Sequence, residues 1–351
     1  MDKSVDHQLA SVRADSDELS VQRHLLDVSL DIDTQNARIL AEFASRDGIP
    51  PQVYVQVARR CNLRCTMCGF AAWQSNQGFM SDAVFRSTLD QCDRDGVRKL
   101  IFASAQGEPF LHPRIFDLLE EAVRRGFQVQ ASTNGTPFTE ERIARLASIP
   151  FYHLQFSFAG FDRRSYETIY AGARFEQVSR NLAAIHRHLT ETGSPTLFSV
   201  HGVYADSVMG LYSREEFVSR TKAYIASLGV PEDKVNIAVP HNFGGVVEAG
   251  EYRSNAALHS HKTLKSSRPA LCPVLMSSPG VYIDGRATAC GCLDSNGELD
   301  LGDATTTTLG ALRRTEKFQA LVKAFLDGDI SHLPLCAKCD VPYEWGAARY
   351  D

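Results

Sequence analysis

Hydrophobic positions along the chain follow two periods that alternate from residue 53 onward. Short runs rich in β-branched and aromatic residues predict strands at 53–58, 99–103, 127–132, 153–158, 196–203 and 235–239. Stretches with helical spacing separate them near 81–94, 113–125, 139–147, 174–190 and 213–228, and a further helix is predicted at 34–45. Gly126, Asn134-Gly135 and Pro231 stand at boundaries of these elements and support them.

The succession of six β/α units predicts parallel strands joined by helical crossovers. Six units are two fewer than a closed eight-fold barrel contains, so an α/β fold with a partial, TIM-like (β/α)6 barrel or a doubly wound sheet is expected. In both folds the loops at the C-terminal ends of the strands carry the chemistry.

Composition divides the chain into four expected segments. They are a polar N-terminal arm and helix (1–48), the barrel (49–240), a polar linker or substrate-covering loop (241–269) and a small cysteine-rich module (270–351).

Charge and hydropathy exclude several classes of partner. The chain has 37 Lys and Arg against 42 Asp and Glu, a net charge of −5, and no basic stripe, which disfavours nucleic acid. No apolar run reaches the roughly 18 residues of a membrane helix, and the polar, acidic start differs from a secretory signal. A cytoplasmic protein without a membrane partner is expected.

The nine cysteines then become the feature to explain. Eight of them fall in two groups, one at 61, 65 and 68 and one at 272, 290, 292, 336 and 339, and the ninth is Cys92. Clustered thiols in a reducing compartment more often bind metal than form disulfides. Cys61, Cys65 and Cys68 follow the first strand with C-x3-C-x2-C spacing. Three thiolates on one loop can hold three corners of an iron–sulfur cubane and leave the fourth iron open. A zinc knuckle is the alternative, although no fourth ligand follows at finger spacing.

With these cysteines the chain resembles the radical S-adenosylmethionine (radical SAM) superfamily. Three later segments, each after a successive strand, carry the resemblance further: QGEP at 106–109, STNGT at 132–136 and SFAG at 157–160. Tyr166-Glu167 and Ala173-Arg174-Phe175 echo another family stretch. The chain departs from the family at Gln106, where a glycine is usual, and at Ala159, where an aspartate is usual. The resemblance implies that SAM is contacted by Met67, Gln106, Gly107, Glu108, Pro109, Ser132, Asn134, Ser157 and Arg174.

The resemblance also implies the cofactors and the type of chemistry. A 4Fe–4S cluster at the first cysteine group would bind SAM, and one electron from an external flavodoxin- or ferredoxin-like donor would release a 5′-deoxyadenosyl radical. That radical removes a hydrogen atom from an unactivated C–H bond of the substrate, while the protein supplies position and excludes water.

The second cysteine group resembles the shortened, twitch form of the SPASM domain found in radical SAM proteins. Cys272, Cys290, Cys336 and Cys339 would ligate one auxiliary 4Fe–4S cluster, with zinc as the alternative. Cys292 is a fifth thiol beside this set, either a spare cysteine or a hydrogen-atom donor to a substrate radical. Cys92, inside a helical stretch, is expected in the core.

One radical SAM cluster, one twitch cluster and a similar chain length resemble 2-deoxy-scyllo-inosamine dehydrogenase and related enzymes of sugar, aminocyclitol and nucleoside-antibiotic pathways. The hypothesis is therefore a radical SAM oxidoreductase that dehydrogenates a small hydroxylated substrate. A redox-neutral decarboxylase or epimerase and a peptide-modifying enzyme are alternatives. Candidate substrate contacts in the polar segment are His241, Asn242, Arg253, His259 and His261.

Overall fold

The fold is built from the helices and strands of residues 31–72, 78–103, 107–238, 268–294, 296–339 and 341–343, which a computed structural model describes. The strands are β1 (Gln52–Val55), β2 (Lys99–Phe102), β3 (Gln128–Thr133), β4 (His153–Ser157), β5 (Leu197–Val203), β6 (Val235–Ala238), β7 (Gly280–Val281), β8 (Arg286–Thr288) and β9 (Asp300–Asp303). The helices are α1 (Ile32–Ser45), α2 (Asp82–Asp95), α3 (Ile115–Arg124), α4 (Glu140–Ala147), α5 (Arg163–Ile169), α6 (Phe175–Glu191), α7 (Asp206–Met209), α8 (Arg214–Ser227), α9 (Pro273–Ser277), α10 (Leu309–Arg313), α11 (Glu316–Asp327) and α12 (Pro334–Lys338). Short 3₁₀ helices lie at Gly69–Ala72, Pro109–Leu111, Glu232–Lys234 and Val341–Tyr343.

Strands β1 to β6 are neighbours in chain order, and each neighbouring pair is parallel. Helices make the connections from β1 through β6, as parallel pairing requires. The predicted fold class is therefore confirmed: an α/β protein with a partial (β/α)6 barrel, followed by a small C-terminal region that contains cysteines.

The C-terminal region joins the barrel through the sheet itself. Strand β7 pairs in parallel with β1, with Tyr54 opposite Gly280 and Val55 opposite Val281. Strands β8 and β9 then add in antiparallel fashion, which makes one sheet of nine strands in the described part of the chain. Strands β7 and β8 form a hairpin around Gly285. Strand β1 leads into the loop of the first cysteine group, and β7 lies between Cys272 and Cys290 in the chain. The pairing of these two strands therefore brings the second cysteine group to the edge of the barrel.

Local sequence explains most element boundaries. Helix α2 begins where the Ser81 side chain accepts a hydrogen bond from the Val84 N–H, and it ends at Gly96 in the left-handed conformation. The structure adds helix α5, which the hydrophobic pattern does not predict. Its seven residues are too few for a clear period, but Asp162 and Ser165 form a capping box that starts it.

Helix α1 fastens the N-terminal part of the described chain to the C-terminal region. The Asn36 side-chain oxygen accepts a hydrogen bond of 2.9 Å from the Leu271 N–H. Phe43 stacks on Phe318 of α11 with ring centroids 5.7 Å apart. No helix among the described residues is long and apolar enough to cross a membrane.

The two faces of the barrel sheet differ in polarity. On β4 and β5, Leu154, Phe156, Phe198 and Val200 lie in the hydrophobic core that the helices cover. Side chains alternate along a strand, so the residues between them face the barrel interior. Register sets these interior residues in rows across the sheet: Gln130, His153 and Leu197; Ser132, Gln155 and Ser199; Ser157, His201 and Asn236. The interior is therefore polar toward the C-terminal ends of the strands.

Candidate functional site

The first cysteine group lies on the loop after β1, and its backbone is held by the end of α5. The Arg64 N–H donates to the Ala171 carbonyl and the Thr66 N–H to the Ile169 carbonyl, both at 2.9 Å. Backbone N–H groups also point at two of the sulfurs: Leu63 donates to Cys61 Sγ at 3.5 Å and Phe70 to Cys68 Sγ at 3.4 Å. Donors of this kind stabilise thiolates and the clusters that thiolates hold.

Burial sets the acidity of these thiols. It raises the pKa of Cys61 to about 11, with smaller contributions from Glu108 and Cys68. Burial also raises the pKa of Cys65 and of Cys68, and at Cys65 the neighbouring Cys68 and Cys61 add to the effect. The three thiols therefore lie close enough to influence one another electrostatically.

Gly107 allows the loop after β2 to lie against the cysteine loop. A Cβ at this position would lie 2.4 Å from the Ala58 carbonyl oxygen and 2.9 Å from the Arg60 carbonyl oxygen. Both are backbone atoms and have no side-chain freedom with which to move aside. The next residue uses this closeness, since the Glu108 N–H donates to the Arg60 carbonyl at 2.7 Å.

The Glu108 carboxylate connects this loop to the end of β3. It accepts hydrogen bonds from the Thr133 hydroxyl at 2.9 Å, the Asn134 N–H at 2.6 Å and the Phe110 N–H at 3.1 Å. Burial outweighs these donors and raises its pKa to about 7. The side chain of Glu108 thus joins two of the motif loops, a role that the sequence motif does not reveal.

Asn134 completes the connection back to the cysteines. Its side-chain amide donates to the Asn62 side-chain oxygen at 3.1 Å and approaches Cys61 Sγ at 3.9 Å. Its side-chain oxygen accepts from the Thr136 N–H at 2.9 Å. The loops after β1, β2 and β3 therefore form one hydrogen-bonded unit around the first cysteine group.

The remaining predicted SAM contacts occupy different environments. Ser132 and Ser157 lie at the C-terminal ends of β3 and β4 on the polar interior face, and Met67 is half-buried against the core. Arg174 is exposed at the start of α6. Pro109 is buried and opens a 3₁₀ helix. Gln106 lies outside the described residues, as do the candidate substrate contacts at 241, 242, 253, 259 and 261.

The second cysteine group converges on one partly open cavity. All four predicted auxiliary ligands line it, although they come from positions as far apart as 272 and 339. Its other lining residues are apolar: Val274, Leu275, Leu293, Leu299, Leu335, Val341 and Pro342. An apolar cage whose polarizable donors are four thiols fits a fully ligated iron–sulfur cluster.

Cys292 lies outside this cage. It does not line the cavity, and its thiol is hydrogen-bonded with the side chain of Tyr54 on β1. Burial raises its pKa to about 11. Tyr54 is opposite Ile101 and Gly280 in the sheet and belongs to the interior face, so Cys292 lies between the auxiliary cysteines and the barrel wall. Cys92 is buried in the core, as the sequence predicts.

No three Cys, His, Asp or Glu side chains within the described ranges converge as ligands of a single metal ion. In a cubane, by contrast, each thiolate binds a different iron atom, so the sulfurs are spread around the cluster. All nine cysteines are described as free thiols. Two sets of thiols, one of three beside a glycine-lined loop and one of four in an apolar cage, therefore match the donor chemistry of iron–sulfur clusters.

Residues of the polar interior are the site components that the sequence motifs miss. Gln155, Ser199, His201 and Asn236 face the space beside the loops described above. A sequence signal exists, because a strand of a parallel sheet covered on both faces would be hydrophobic throughout. The alternation of polar with hydrophobic residues in HLQFS and LFSVHGV could have identified them.

Acidification should destabilise the folded chain through His153, which contributes to the floor of this interior. Its Nε2 lies 2.7 Å from the Ser199 hydroxyl oxygen. Burial lowers the pKa of His153 from 6.5 to about 4, with help from Lys99 and His201. Between pH 6.5 and about pH 4 the unfolded chain therefore takes up a proton that the folded chain does not take up. This contribution to stability is complete above pH 6.5 and is lost as the pH falls toward 4, by about 3 kcal/mol.

Urea unfolding between pH 7 and pH 4.5 measures this effect. The free energy of unfolding should fall less steeply with acidification in His153→Asn than in the wild type. His332→Asn replaces an exposed histidine and should keep the wild-type dependence. Equal pH dependence in the wild type and His153→Asn would contradict the prediction.

Comparisons with known proteins agree with this geometry. Residues 55–210 match the family model of the radical SAM superfamily. A tungsten-containing aldehyde ferredoxin oxidoreductase cofactor-modifying protein of Pyrococcus furiosus is 38% identical over 97 residues, which cover 28% of this chain and 27% of that protein. Mycofactocin maturase MftC of Mycobacterium tuberculosis is 26% identical over 150 residues, or 42% of this chain and 38% of the maturase. The chain thus spans less than half of the length of these relatives.

Solved structures share the fold at low sequence identity. BtrN in complex with AdoMet and 2-DOIA is 16% identical, with a TM-score of 0.51 over 83% of this chain and 92% of that chain. SuiB of Streptococcus suis bound to the precursor peptide SuiA is 13% identical, with a TM-score of 0.59 over 84% of this chain and 72% of that chain. The anSMEcpe structure with bound AdoMet is 17% identical, with a TM-score of 0.55 over 78% of this chain and 80% of that chain. The match to the radical SAM family model thus runs from the end of β1 through β5, and it includes the cysteine loop after β1.

Proposed function

We propose that the chain is a radical SAM oxidoreductase that dehydrogenates a polar, hydroxylated small molecule of the sugar or aminocyclitol type. The observation that carries this proposal is the single cage of four thiols beside a barrel whose interior is polar. A natural-product pathway, such as that of an antibiotic, is the proposed setting.

The two thiol sets have different proposed roles. Cys61, Cys65 and Cys68 would hold the 4Fe–4S cluster that binds SAM, and the Cys272, Cys290, Cys336 and Cys339 cage would hold one auxiliary 4Fe–4S cluster in a twitch- or SPASM-like region. When bound, these groups supply a 5′-deoxyadenosyl radical that removes a hydrogen atom and an acceptor for the second electron. The external electron donor is proposed to be a flavodoxin- or ferredoxin-like protein.

The chain itself positions the reactants. The loops after β1, β2 and β3 are joined through Glu108 and Asn134, so the predicted SAM contacts Gly107 and Pro109 are held relative to the cysteines. Such fixed geometry is the main protein contribution when the reactive species comes from a cofactor. Met67, Ser132, Ser157 and Arg174 are proposed to complete the SAM site, together with Gln106.

The interior face suits a substrate with several hydroxyl groups. Gln155, Ser199, His201 and Asn236 offer both donors and acceptors from three neighbouring strands. Their side chains project from a rigid sheet, which orients a bound molecule better than loops do. Oxidation of a CH–OH group to a ketone removes two electrons and two protons. One electron and one proton leave together as the abstracted hydrogen atom, and the second electron and proton leave afterwards.

A redox-neutral epimerase is the second candidate, because Cys292 lies between the auxiliary cage and the interior wall. Its thiol is hydrogen-bonded with Tyr54, a residue of the interior face, which supports a role toward the barrel interior. A thiol there could return a hydrogen atom to a substrate radical. The SuiB structure with its bound precursor peptide keeps peptide modification as a further alternative. Radical decarboxylation uses the same initial step.

Anaerobic incubation with SAM, dithionite and a panel of sugars, aminocyclitols, uronic acids and peptides tests the proposal. Dehydrogenation predicts one two-electron-oxidised product for each 5′-deoxyadenosine formed. Solvent deuterium in an otherwise unchanged product would identify the epimerase, and loss of that deuterium in Cys292→Ser would assign the donor. Released carbon dioxide would identify the decarboxylase, and a modified peptide would replace the small-molecule substrate.

Iron analysis tests the two-cluster arrangement. We expect about eight iron atoms per reconstituted chain, and about four after combined substitution of Cys61, Cys65 and Cys68 by alanine. Combined substitution of Cys272, Cys290, Cys336 and Cys339 should remove the other four. Cys92→Ala changes a core cysteine and should keep all eight. Zinc bound at the second set, or four iron atoms in the wild type, would contradict the model.

A further inference from the structure

Tyr166 has a buried hydroxyl group without a partner beside the first cysteine group. The residue is fully buried, and no hydrogen-bond partner for its Oη exists among the described residues. The other buried side-chain atoms in the same condition are nitrogens of Gln35, Arg59, Arg142 and Arg313. Each of those belongs to a side chain with at least one further hydrogen-bonding atom, whereas the phenol has a single oxygen. Leaving such a hydroxyl unpaired in the core is costly, so a bound group is expected to accept a hydrogen bond from it.

The ring of Tyr166 has no freedom to turn its hydroxyl elsewhere. It lies 4.7 Å from the Tyr170 ring and 4.6 Å from the Phe158 ring, measured between centroids. Gly160 lies against the backbone of the same residue, because a Cβ there would lie 2.8 Å from the Tyr166 backbone nitrogen. The hydroxyl direction is therefore fixed by packing.

The cysteine loop lies next to this ring. Helix α5, which carries Tyr166, accepts hydrogen bonds from the loop at Ile169, and the following Ala171 does the same. The Cys65 thiol is near enough to act electrostatically on both Tyr166 and Tyr170. The unpartnered hydroxyl and the cluster ligands thus share one buried region.

We propose that the Tyr166 hydroxyl donates a hydrogen bond to a sulfur of the cluster held by Cys61, Cys65 and Cys68, and thereby raises the reduction potential of that cluster. Reduction adds negative charge to the cluster, and a fixed donor stabilises that charge. Tyr166 would make the reduced state accessible to a biological one-electron donor. This inference rests on the proposed cluster at the first cysteine group.

Potentiometric EPR titration of the reconstituted full chain tests the inference. In Tyr166→Phe the ratio of reduced to oxidised cluster at a fixed potential should fall about tenfold, a one-electron shift of about 59 mV to more negative potential. Tyr224→Phe is the matched control, since Tyr224 belongs to the same aromatic cluster but its hydroxyl bonds to Ser179 at 2.9 Å. It should keep the wild-type potential. The response of the EPR signal to added SAM distinguishes this cluster from the auxiliary one.

Stability before reconstitution gives an independent check. Without a cluster, Tyr166→Phe should unfold at the same or a higher temperature than the wild type, because it removes only an unpartnered hydroxyl. An unchanged potential in Tyr166→Phe, an equal shift in Tyr224→Phe, or a lower unfolding temperature of Tyr166→Phe before reconstitution would each overturn the inference. Failure of the proposed function is distinguishable, since the triple cysteine variant would then retain all of the iron.

Discussion

Replacement of Gly107 by alanine should lower the rate of 5′-deoxyadenosine formation at least about 100-fold. The added Cβ would overlap the Ala58 and Arg60 carbonyl oxygens, at 2.4 and 2.9 Å. The loop after β2 would have to move away from the cysteine loop, and the bond from the Glu108 N–H to Arg60 would break. A displacement of about 1 Å in a positioned reactant is enough for a loss of this size. The rate is measured with SAM and dithionite after reconstitution.

Gly210→Ala is the matched control for this substitution. No atom lies within 4 Å of a Cβ at position 210, and the backbone there has an ordinary right-handed helical conformation. This variant should form 5′-deoxyadenosine at the wild-type rate. Thermal unfolding of both variants separates a local displacement from a loss of the fold. A wild-type rate in Gly107→Ala would show that the loop after β2 does not depend on this close approach.

Replacement of Arg313 by alanine should lower the free energy of unfolding by about 3–5 kcal/mol. The side chain is fully buried, and its guanidinium donates to the carbonyls of Gly48 and Met276. It also lies over the rings of Phe43 and Phe318, at 4.9 and 5.1 Å from their centroids. Alanine would leave two buried carbonyls unpaired and a cavity between α1, α9 and α11. Denaturant unfolding measures the loss.

Arg314 offers a control one residue away. It is exposed and bonds to Asp47, at 2.7 Å to the carbonyl and 3.2 Å to the carboxylate. Exposed ion pairs contribute about 0–1 kcal/mol, so Arg314→Ala should be nearly neutral. Burial lowers the pKa of Arg313 to about 9, and the group is therefore still protonated at neutral pH. Similar losses in the two variants would contradict the role given to Arg313.

Elements with strong local signals could be predicted from the sequence. All six barrel strands and the five predicted helices between them lie within about three residues of the predicted positions, because hydrophobic period and capping are local properties. The first cysteine group could also be recognised from the sequence, since its three thiols lie on one eight-residue loop. The hydrophobic pattern does not predict helix α5, because seven residues give no period, although this helix holds that loop and carries Tyr166.

Contacts between distant segments could not be predicted in this way. Glu108 belongs to the sequence motif. Its carboxylate connects the loops after β2 and β3, however, and this connection depends on how those loops fold together. The polar interior likewise depends on register, which brings Ser157, His201 and Asn236 into one row from three strands. The spacing of residues along the chain predicts neither the Glu108 connection nor the polar row.

The sequence by itself determined the order of the β/α units and the loop that presents Cys61, Cys65 and Cys68, because both depend on residues close together in the chain. It also marked five C-terminal cysteines as chemically related. Only the tertiary structure decided that four of them share one apolar cavity while Cys292 lies beside Tyr54. The physical reason is the pairing of β7 with β1, which brings residues more than 200 positions apart to one edge of the barrel.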